Sequence, residues 1–283
     1  MSQRSCSSLG RRVTRRLPGM ALAAALMGPG WPGVQAGTPE PGQVGRPAPA
    51  QVSVPDRPDA VTSQLPEWRT RGLPAALPPD SARLLYDVTG QSGRARYQAS
   101  GALVWDRRGS AYDAQMRISA FLVGSRTQRS SGRLDSTGLH PDQFVDTSRR
   151  EREVRFDSAS ARITYSENAR QDVLLPGAQD RLSVLLQLAS LLNARPPVQG
   201  QRFQMQVVGA SDAEAWEFEV VGLEQPTVPA GRMPAWHLQR VARHPNDTRL
   251  SVWLAPQLQH LPVRLSLRHA NGDQVEQSLR RHP

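Results

Sequence analysis

Cysteine occurs once in the 283-residue sequence, at Cys6, and lysine does not occur at all. Cys6 lies in a basic N-terminal segment, outside any lipoprotein cleavage setting, and we expect this segment to be removed. The mature chain then has no thiol, which excludes disulfides, cysteine-ligated zinc and thiol catalysis together. Because every one of the 35 Lys or Arg positions is arginine, we attribute the basic composition to genome bias and not to selection for phosphate binding.

Catalytic and metal-binding signatures are missing as well. The sequence has no GxSxG, P-loop or calcium-loop pattern, and no GxGxxG after a predicted strand. None of its six histidines lies in an HExxH frame or at i, i+4 from another. His237, between Trp236 and Leu238, is interpreted as a half-buried structural histidine. We therefore predict no catalytic residue, no metal site and no cofactor.

The first 36 residues have the organisation of a targeting segment. Four arginines between positions 11 and 16 precede an apolar stretch, and the small-residue exit Val34-Gln35-Ala36 follows it. The stretch is too short and too interrupted by proline and glycine to span a bilayer, which takes about 20 apolar residues. We predict a signal peptide over residues 1–36, a periplasmic location and no transmembrane anchor in the mature chain. The string Thr14-Arg15-Arg16-Leu17 leaves twin-arginine export open beside Sec export.

Charge argues against a nucleic-acid partner. The net charge of the chain is +10, but the leader holds five of the 35 basic residues and none of the 25 acidic ones. The remaining arginines are scattered, whereas nucleic-acid proteins concentrate them in a stripe. The densest run, residues 149–155, alternates in sign and is interpreted as a solvated strand edge. Attraction of this run to anionic lipid or polyanionic envelope polymers is the alternative.

Composition divides the rest of the chain into two parts. Residues 37–78 are rich in proline and cannot bury enough apolar surface to fold, so we predict a disordered tether. Residues 79–283 have the length of a single β-rich domain with one core.

Apolar and polar residues alternate from Ser81 onward, which is the period of strands with one buried face. Short connections with Gly or Asn, at 106–109, 209–212 and 271–273, predict hairpins and therefore antiparallel order. The stretch 125–133 is polar on both faces, and we place it on a rim or an exposed edge. The residues that share the apolar face of one predicted strand are Tyr112, Ala114, Met116, Ile118 and Ala120.

One segment breaks this alternation. Residues 179–194 predict a helix with Asp180 as its N-cap and Pro196 as its stop. Apolar side chains cover roughly 220° of its circumference, far more than the stripe of a surface helix. Such a helix must be buried on more than one side. We therefore predict a mainly β fold, in which a strongly curved, half-barrel-like antiparallel sheet of about eight to eleven strands encloses one buried helix.

Three classes of function stay open. The first is a non-catalytic binder of a lipid, acyl chain or other apolar envelope ligand. The second is a periplasmic protein-interaction module with a filled core and an exposed patch or strand edge, such as 149–155. The third is an envelope hydrolase, with polar side chains from distant strands converging in a cleft. The candidate cavity lining of the first class is Leu182, Leu185, Leu188, Met116, Phe203 and Trp216.

Several short landmarks resemble the bacterial exported family called domain of unknown function 3108. They cover most of residues 80–280 in the family's order. The resemblance implies an envelope protein and implies no reaction. In architecture alone, the predicted fold is similar to the half-barrel lipoprotein carriers of the periplasm. The matching segments are Gly138-Leu139-His140-Pro141 with Phe144, Val154-Arg155-Phe156-Asp157, Gln179-Asp180-Arg181-Leu182-Ser183, Pro229-Ala230-Gly231, Trp253-Leu254-Ala255-Pro256 and Leu261-Pro262-Val263-Arg264.

Overall fold

The computed structural model describes residues 73–120 and 124–282. The predicted leader and most of the predicted tether lie outside these ranges. In the described part of the chain, one α-helix, α1, spans Ser183–Ala194, and a 3-10 helix spans Pro256–Leu258. The strands are β1 (Ala82–Ser92), β2 (Ala95–Arg108), β3 (Ala111–Ala120), β4 (Gly124–Asp135), β5 (Gly138–Thr147), β6 (Glu151–Asp157), β7 (Arg162–Tyr165), β8 (Gln171–Val173), β9 (Gln179–Asp180), β10 (Arg202–Val208), β11 (Ala213–Glu224), β12 (Thr227–Val228), β13 (Gly231–Arg232), β14 (Ala235–Arg240), β15 (Arg249–Ala255), β16 (Leu261–Arg268) and β17 (Gln274–Arg281).

Fifteen of these strands form a single sheet in the order β8-β7-β6-β5-β4-β3-β2-β1-β17-β16-β15-β14-β11-β10-β9. All pairs are antiparallel except the short parallel pair of β9 with β10. β8 and β9 are the two ends of this order, so the sheet is open and not a closed barrel. The prediction of a mainly β fold with a large antiparallel sheet and one buried helix is confirmed, but the sheet is not strongly curled, so the predicted half-barrel-like curvature was wrong.

The predicted count of about eight to eleven strands was too low. The strands that the sequence analysis missed are short or polar, such as β8 and the two-stranded sheet of β12 and β13. A strand of two or three residues shows no period, because alternation needs about four residues to be recognised. Hydrogen bonding to a neighbouring strand, and not a local pattern, creates these elements.

Alternation of side chains divides the long strands into a core face and a solvent face. The predicted apolar face of β3 is buried along its whole length. Each fully buried Leu, Val, Ile or Phe side chain stabilises the fold by roughly 1.5–3 kcal/mol before the loss of conformational entropy is counted. The helix α1 is buried at ten consecutive residues, 183–192, which agrees with its wide apolar surface.

The helix begins later than the sequence predicts. Asp180 belongs to β9, and the N-cap position is Leu182, whose side chain makes no capping hydrogen bond. The carboxylate of Asp180 still accepts hydrogen bonds from the backbone N–H groups of Leu182 and Ser183, both at 2.8 Å. Asp180 therefore satisfies the first free donors of α1 from outside the helix, and the predicted N-cap position was wrong by two residues.

One edge assignment made from the sequence is wrong, and a second holds for only part of its strand. Strand β4, which contains residues 125–133, lies between β3 and β5 and has Gln128 and Ser130 buried. Strand β6 lies between β5 and β7, but β7 pairs only with residues 154–157, so residues 151–153 pair with a strand on one side only. Polar side chains fit these interior strands because they pair across the sheet, as the Nε of Arg129 does with Asp113 at 2.8 Å.

The residues that precede β1 pack onto the domain. The N–H of Ala76 donates to the carbonyl of Ser136, and the N–H of Leu77 donates to the carbonyl of Ser190 in α1. The indole N–H of Trp105 donates to the carbonyl of Pro79 at 3.0 Å. Residues 73–78, which the sequence analysis assigned to the tether, thus cover one end of the core. Within the described ranges, no helix combines the length and the apolar character that a membrane crossing requires.

Candidate functional site

The six residues predicted to line an apolar cavity all contact the same hydrophobic core. Leu182, Leu185 and Leu188 have no exposed surface, and Met116 and Trp216 are buried. Phe203 is partly buried and packs against the others. The structure therefore brings the six into one core.

A recess of about 800 Å³ lies elsewhere, across the strands β2, β1, β17 and β16. Its volume falls within the range of about 300–1,000 Å³ that is typical of ligand pockets. None of the six predicted cavity residues lines it. We call it the outer recess. Its lining residues are Thr89, Gly90, Gln91, Arg96, Tyr97, Gln98, Ser266, Arg268, Gln274, Val275 and Glu276.

Strand register places the polar lining on the solvent face of the sheet. Gln91 lies opposite both Arg96 and Gln274, and Gln274 lies opposite Arg268. Residues directly opposite in an antiparallel pair share a face, so these four form one row across four strands. Their neighbour Val275 is buried on the core face. The outer recess is therefore separated from the core by the sheet itself.

On the core face at this position, Gly90 allows a close contact. A Cβ atom on Gly90 would lie 2.2 Å from Cζ of Tyr97, the residue opposite it on β2. The aromatic ring therefore occupies the space over Gly90. Burial raises the pKa of Tyr97, and the charge of Asp273 raises it further.

Arginines dominate the charge of the recess. Arg268 lies opposite Arg249 across the β15–β16 pair, and like charges in this position repel. Among residues 73–120 and 124–282, neither of them nor Arg96 forms an ion pair. The neighbouring carboxylates have other partners. Glu276 accepts a hydrogen bond from Arg264, and Asp273 accepts the N–H of Gly93 at 2.8 Å.

A second polar cluster is buried between the sheet and the start of α1. The hydroxyl of Ser130 donates to Asp180 at 2.5 Å and lies 2.9 Å from the hydroxyl of Tyr112. Burial raises the pKa of Asp180 to about 6, although hydrogen bonds from Ser130 and from the start of the helix oppose the rise. Asp180 can be recognised from the sequence as a helix cap, but its partners Ser130 and Tyr112 cannot, because they lie 50 residues or more away along the chain.

Two amide side chains hold α1 and β9 against β5. The Nε2 of Gln179 donates to the carbonyl of Leu139 at 2.7 Å. Gln187 accepts the N–H of Leu139 at 2.8 Å and donates to the carbonyl of Thr137 at 2.9 Å. These contacts satisfy backbone groups of β5 that face the helix. They give a structural explanation for two polar residues in an apolar region.

A third cluster surrounds Trp216. The guanidinium carbons of Arg181 and Arg240 lie 5.1 Å and 4.4 Å from the centre of its ring. Burial raises the pKa of Asp212, whereas Arg181 opposes the rise and Glu214 adds to it. The pKa of Glu214 is lowered overall. Burial alone would raise it, but the hydrogen bond from the Trp216 N–H and the charges of the arginines outweigh burial. Asp212 forms a salt bridge with Arg181, and Glu214 forms one with Arg240, so both carboxylates have a structural role.

His237 and His260 also have structural partners. The Nδ1 of His237 lies 2.9 Å from Glu224, and its ring stacks on Trp253 with a centroid distance of 4.4 Å. Burial lowers the pKa of His260 to about 4, and its Nδ1 lies 2.7 Å from the side-chain oxygen of Asn193. In the described part of the chain, no group of three or more His, Cys, Asp or Glu side chains is arranged to hold a metal ion.

Three solved structures match this chain at low similarity. A β-barrel-like protein of domain of unknown function DUF1849 from Brucella abortus matches with 12% identity and a TM-score of 0.49, over 74% of this chain and 98% of that one. An exported-type protein with a YmcC-like fold from Bacteroides fragilis matches with 10% identity and a TM-score of 0.28, over 74% of this chain and 99% of that one. A domain named for outer-membrane lipoprotein sorting from Vibrio parahaemolyticus matches with 8% identity and a TM-score of 0.27, over 77% and 88%. Because all three TM-scores are below 0.5, these similarities establish no common function.

No curated protein matches the chain. A family model does match it over residues 86–280, which is more than half of the sequence and contains the outer recess, the helix and the two other polar clusters. The suspected resemblance is thereby confirmed. The chain belongs to the family described as "Protein of unknown function (DUF3108)".

Proposed function

We propose that this protein is a non-catalytic binding module of the cell envelope, and that it holds its ligand in the outer recess. One observation carries the proposal. The recess is large enough for a ligand, and it presents Arg96 and Arg268 without an ion-pair partner among the described residues. Unpaired arginines flanking a concave polar surface favour recognition of an external group.

The residues that line the recess support a non-catalytic role. General acid–base chemistry usually needs a histidine or carboxylate that is free to exchange a proton. The lining has no histidine, and its one carboxylate, Glu276, is engaged by Arg264. Amides, hydroxyls and guanidinium groups are suited to binding and orientation.

Export belongs to the same proposal. Its support is the basic, apolar and small-residue organisation of residues 1–36, which ends at Ala36. The proline-rich segment 37–72 would then connect the leader site to the folded domain and give it reach within the envelope.

A curved sheet is also part of the proposal. The helix α1 contacts β5, β16 and β9, which are the fourth, tenth and fifteenth strands in the sheet order. β5 and β9 contact each other as well. Strands so far apart in a sheet can reach one helix if the sheet bends towards it. We infer that the helix fills the concave side of the sheet.

The packing around α1 favours binding in the outer recess over the alternative that the protein carries an apolar ligand in its core. A carrier needs free volume beside Leu182, Leu185 or Leu188, but all three side chains are completely buried among other core residues. A solid core leaves the solvent face of the sheet as the binding surface. The carrier hypothesis keeps a distinct prediction, because a ligand inside the core would be displaced by a larger core side chain.

The test compares one variant that fills the outer recess with one that enlarges the core. Thr89 is exposed on β1 in the recess, so Thr89→Trp should block the recess without unfolding the domain. Leu185→Trp should overpack the core and cost about 1–3 kcal/mol of stability. Thermal melts of the exported protein would be recorded with a panel of acyl lipids, peptidoglycan fragments and charged or neutral oligosaccharides.

We expect at least one component of the panel to raise the melting temperature of the wild type, and Thr89→Trp to abolish that rise. Native mass spectrometry of the protein purified from the periplasm completes the experiment. A co-purifying apolar ligand that is lost in Leu185→Trp, with the melting temperature unchanged, would overturn the proposal in favour of a carrier.

A further inference from the structure

We propose that the outer recess binds an anionic oligosaccharide. The inference rests on the proposed function and specifies its ligand. Two features of the recess support it: the position of its charges and the chemistry of the surface between them.

The two charges stand at opposite ends of the recess. Arg96 on β2 and Arg268 on β16 are separated by β1 and β17, so three inter-strand spacings lie between them. With about 4.8 Å per spacing, their backbones are roughly 14 Å apart. An extended ligand with negative charges at intervals can therefore contact both guanidinium groups while it lies across the strands between them.

The uncompensated charge favours a ligand with carboxylate or phosphate groups. Arg249 lies opposite Arg268 and adds a third positive charge beside the recess. The two acidic side chains nearest to this row, Glu276 and Asp273, already accept hydrogen bonds from other groups. An anionic ligand would relieve the repulsion between the opposed arginines, because guanidinium groups bind carboxylates and phosphates in a bidentate manner.

Between the charged ends the lining is polar, and its one carboxylate, Glu276, is paired with Arg264. Gln91, Gln98 and Gln274 provide amide donors and acceptors, and Thr89 and Ser266 provide hydroxyl groups. Such groups match the hydroxyls of sugars better than they match an acyl chain. Val275, the aliphatic lining residue with a large side chain, points into the core and is buried. An anionic oligosaccharide therefore suits the recess better than the apolar part of a lipid does.

The experiment measures binding of tetragalacturonate, a carboxylated oligosaccharide, to the exported protein by isothermal titration calorimetry. Maltotetraose has the same number of sugars without charge and serves as the ligand control. The variants are Arg96→Gln and Arg268→Gln. Arg83→Gln is the matched control, because Arg83 is an exposed arginine on the same strand β1 but outside the recess lining, and it has no ion pair in the described part of the chain.

We expect tetragalacturonate to bind and maltotetraose to bind at least tenfold more weakly. Each recess variant should lower the affinity for tetragalacturonate by about tenfold, since hydrogen bonds to charged groups have roughly this effect. Arg83→Gln should leave it unchanged. Far-UV circular dichroism and melting temperature would verify that all three variants are folded.

Several results would overturn the inference. These are no binding of tetragalacturonate, an equal loss in Arg83→Gln, or equal affinity for maltotetraose. Inorganic phosphate or phosphatidylglycerol vesicles that bind through Arg96 and Arg268 while tetragalacturonate does not would also overturn it. The proposed function would still stand if another ligand of the thermal-melt panel raised the melting temperature of the wild type but not that of Thr89→Trp. Failure of the oligosaccharide inference and failure of the proposed function can therefore be told apart.

Discussion

Ser130 and Asp180 are joined by a hydrogen bond of 2.5 Å in the interior, although their strands, β4 and β9, are ten places apart in the sheet order. Asp180 also accepts two backbone N–H groups at the start of α1. One buried carboxyl group thus connects an interior strand, the last strand of the sheet and the helix. Its ionisation should affect the stability of the whole domain.

We predict that Asp180 makes stability fall as the pH rises from about 4 to about 6. The folded state raises the pKa of this carboxyl to about 6, so it keeps a proton that the unfolded chain releases near pH 4. Above about pH 6 the loss of stability caused by Asp180 is constant, and below about pH 4 it is absent. In Asp180→Asn this dependence disappears. Relative to the wild type, the variant should therefore gain roughly 3 kcal/mol between pH 4 and pH 7.

Urea denaturation of both proteins at a series of pH values measures this difference. Asp142→Asn is the control, because Asp142 is a half-exposed carboxylate that pairs with Arg133 on the surface. Its effect on stability should be small at every pH. A difference between wild type and Asp180→Asn that does not change with pH would contradict the prediction.

Gly138→Ala should be strongly destabilising. Gly138 has a φ of 107°, and a Cβ atom there would lie 2.0 Å from the Oε1 of Gln187. The substitution would strain the backbone and displace the amide that binds Leu139 and Thr137. We expect a loss of about 3 kcal/mol or more in the free energy of unfolding, from strain and broken buried hydrogen bonds together.

Gly93→Ala provides the comparison for this glycine. Gly93 has a φ of 58° but open space around its Cα, so its substitution should cost only the backbone strain of about 1–2 kcal/mol. Chemical denaturation of both variants, and of Gly138→Ala combined with Gln187→Ala, would separate strain from contact. Equal losses in Gly93→Ala and Gly138→Ala would mean that the contact with Gln187 has no energetic weight.

Truncation of the helix core should cost far more than truncation of the neighbouring surface. Leu185 is completely buried in α1, and Leu185→Ala should lower the free energy of unfolding by about 2–5 kcal/mol. Leu77 is 55% exposed in the segment that packs against the same helix, so Leu77→Ala should change it by less than about 0.5 kcal/mol. Guanidinium denaturation would test both, and a loss below about 1 kcal/mol in Leu185→Ala would indicate an unfilled space around the helix.

Sequence patterns predicted much of the fold because the relevant signals are local. Alternation in β3 identified its buried face, and the apolar circumference of residues 183–192 identified a buried helix. The turn at 271–273 predicted the hairpin of β16 and β17, which places Arg268 opposite Gln274. Such signals arise between residues within about ten positions of each other, where strand and helix periods act.

The polar strand β4 shows why other features were not predicted. Its composition is typical of an edge, yet Ser130 is buried because Tyr112 and Asp180 accept it as a partner. Neither partner can be assigned from the sequence of β4. A buried polar residue is acceptable only where the tertiary structure supplies its hydrogen bonds.

The sequence by itself determined that this protein is mainly β, that it contains one buried helix and that it belongs to its family. Only the tertiary structure decided where a ligand could bind. The outer recess depends on the pairing of β1 with β17, which joins Gln91 to Gln274 across more than 180 residues of chain. Local periods carry no information about such a pairing. It depends on which sheet edges meet when the core is buried, and that is settled by the packing of the whole domain.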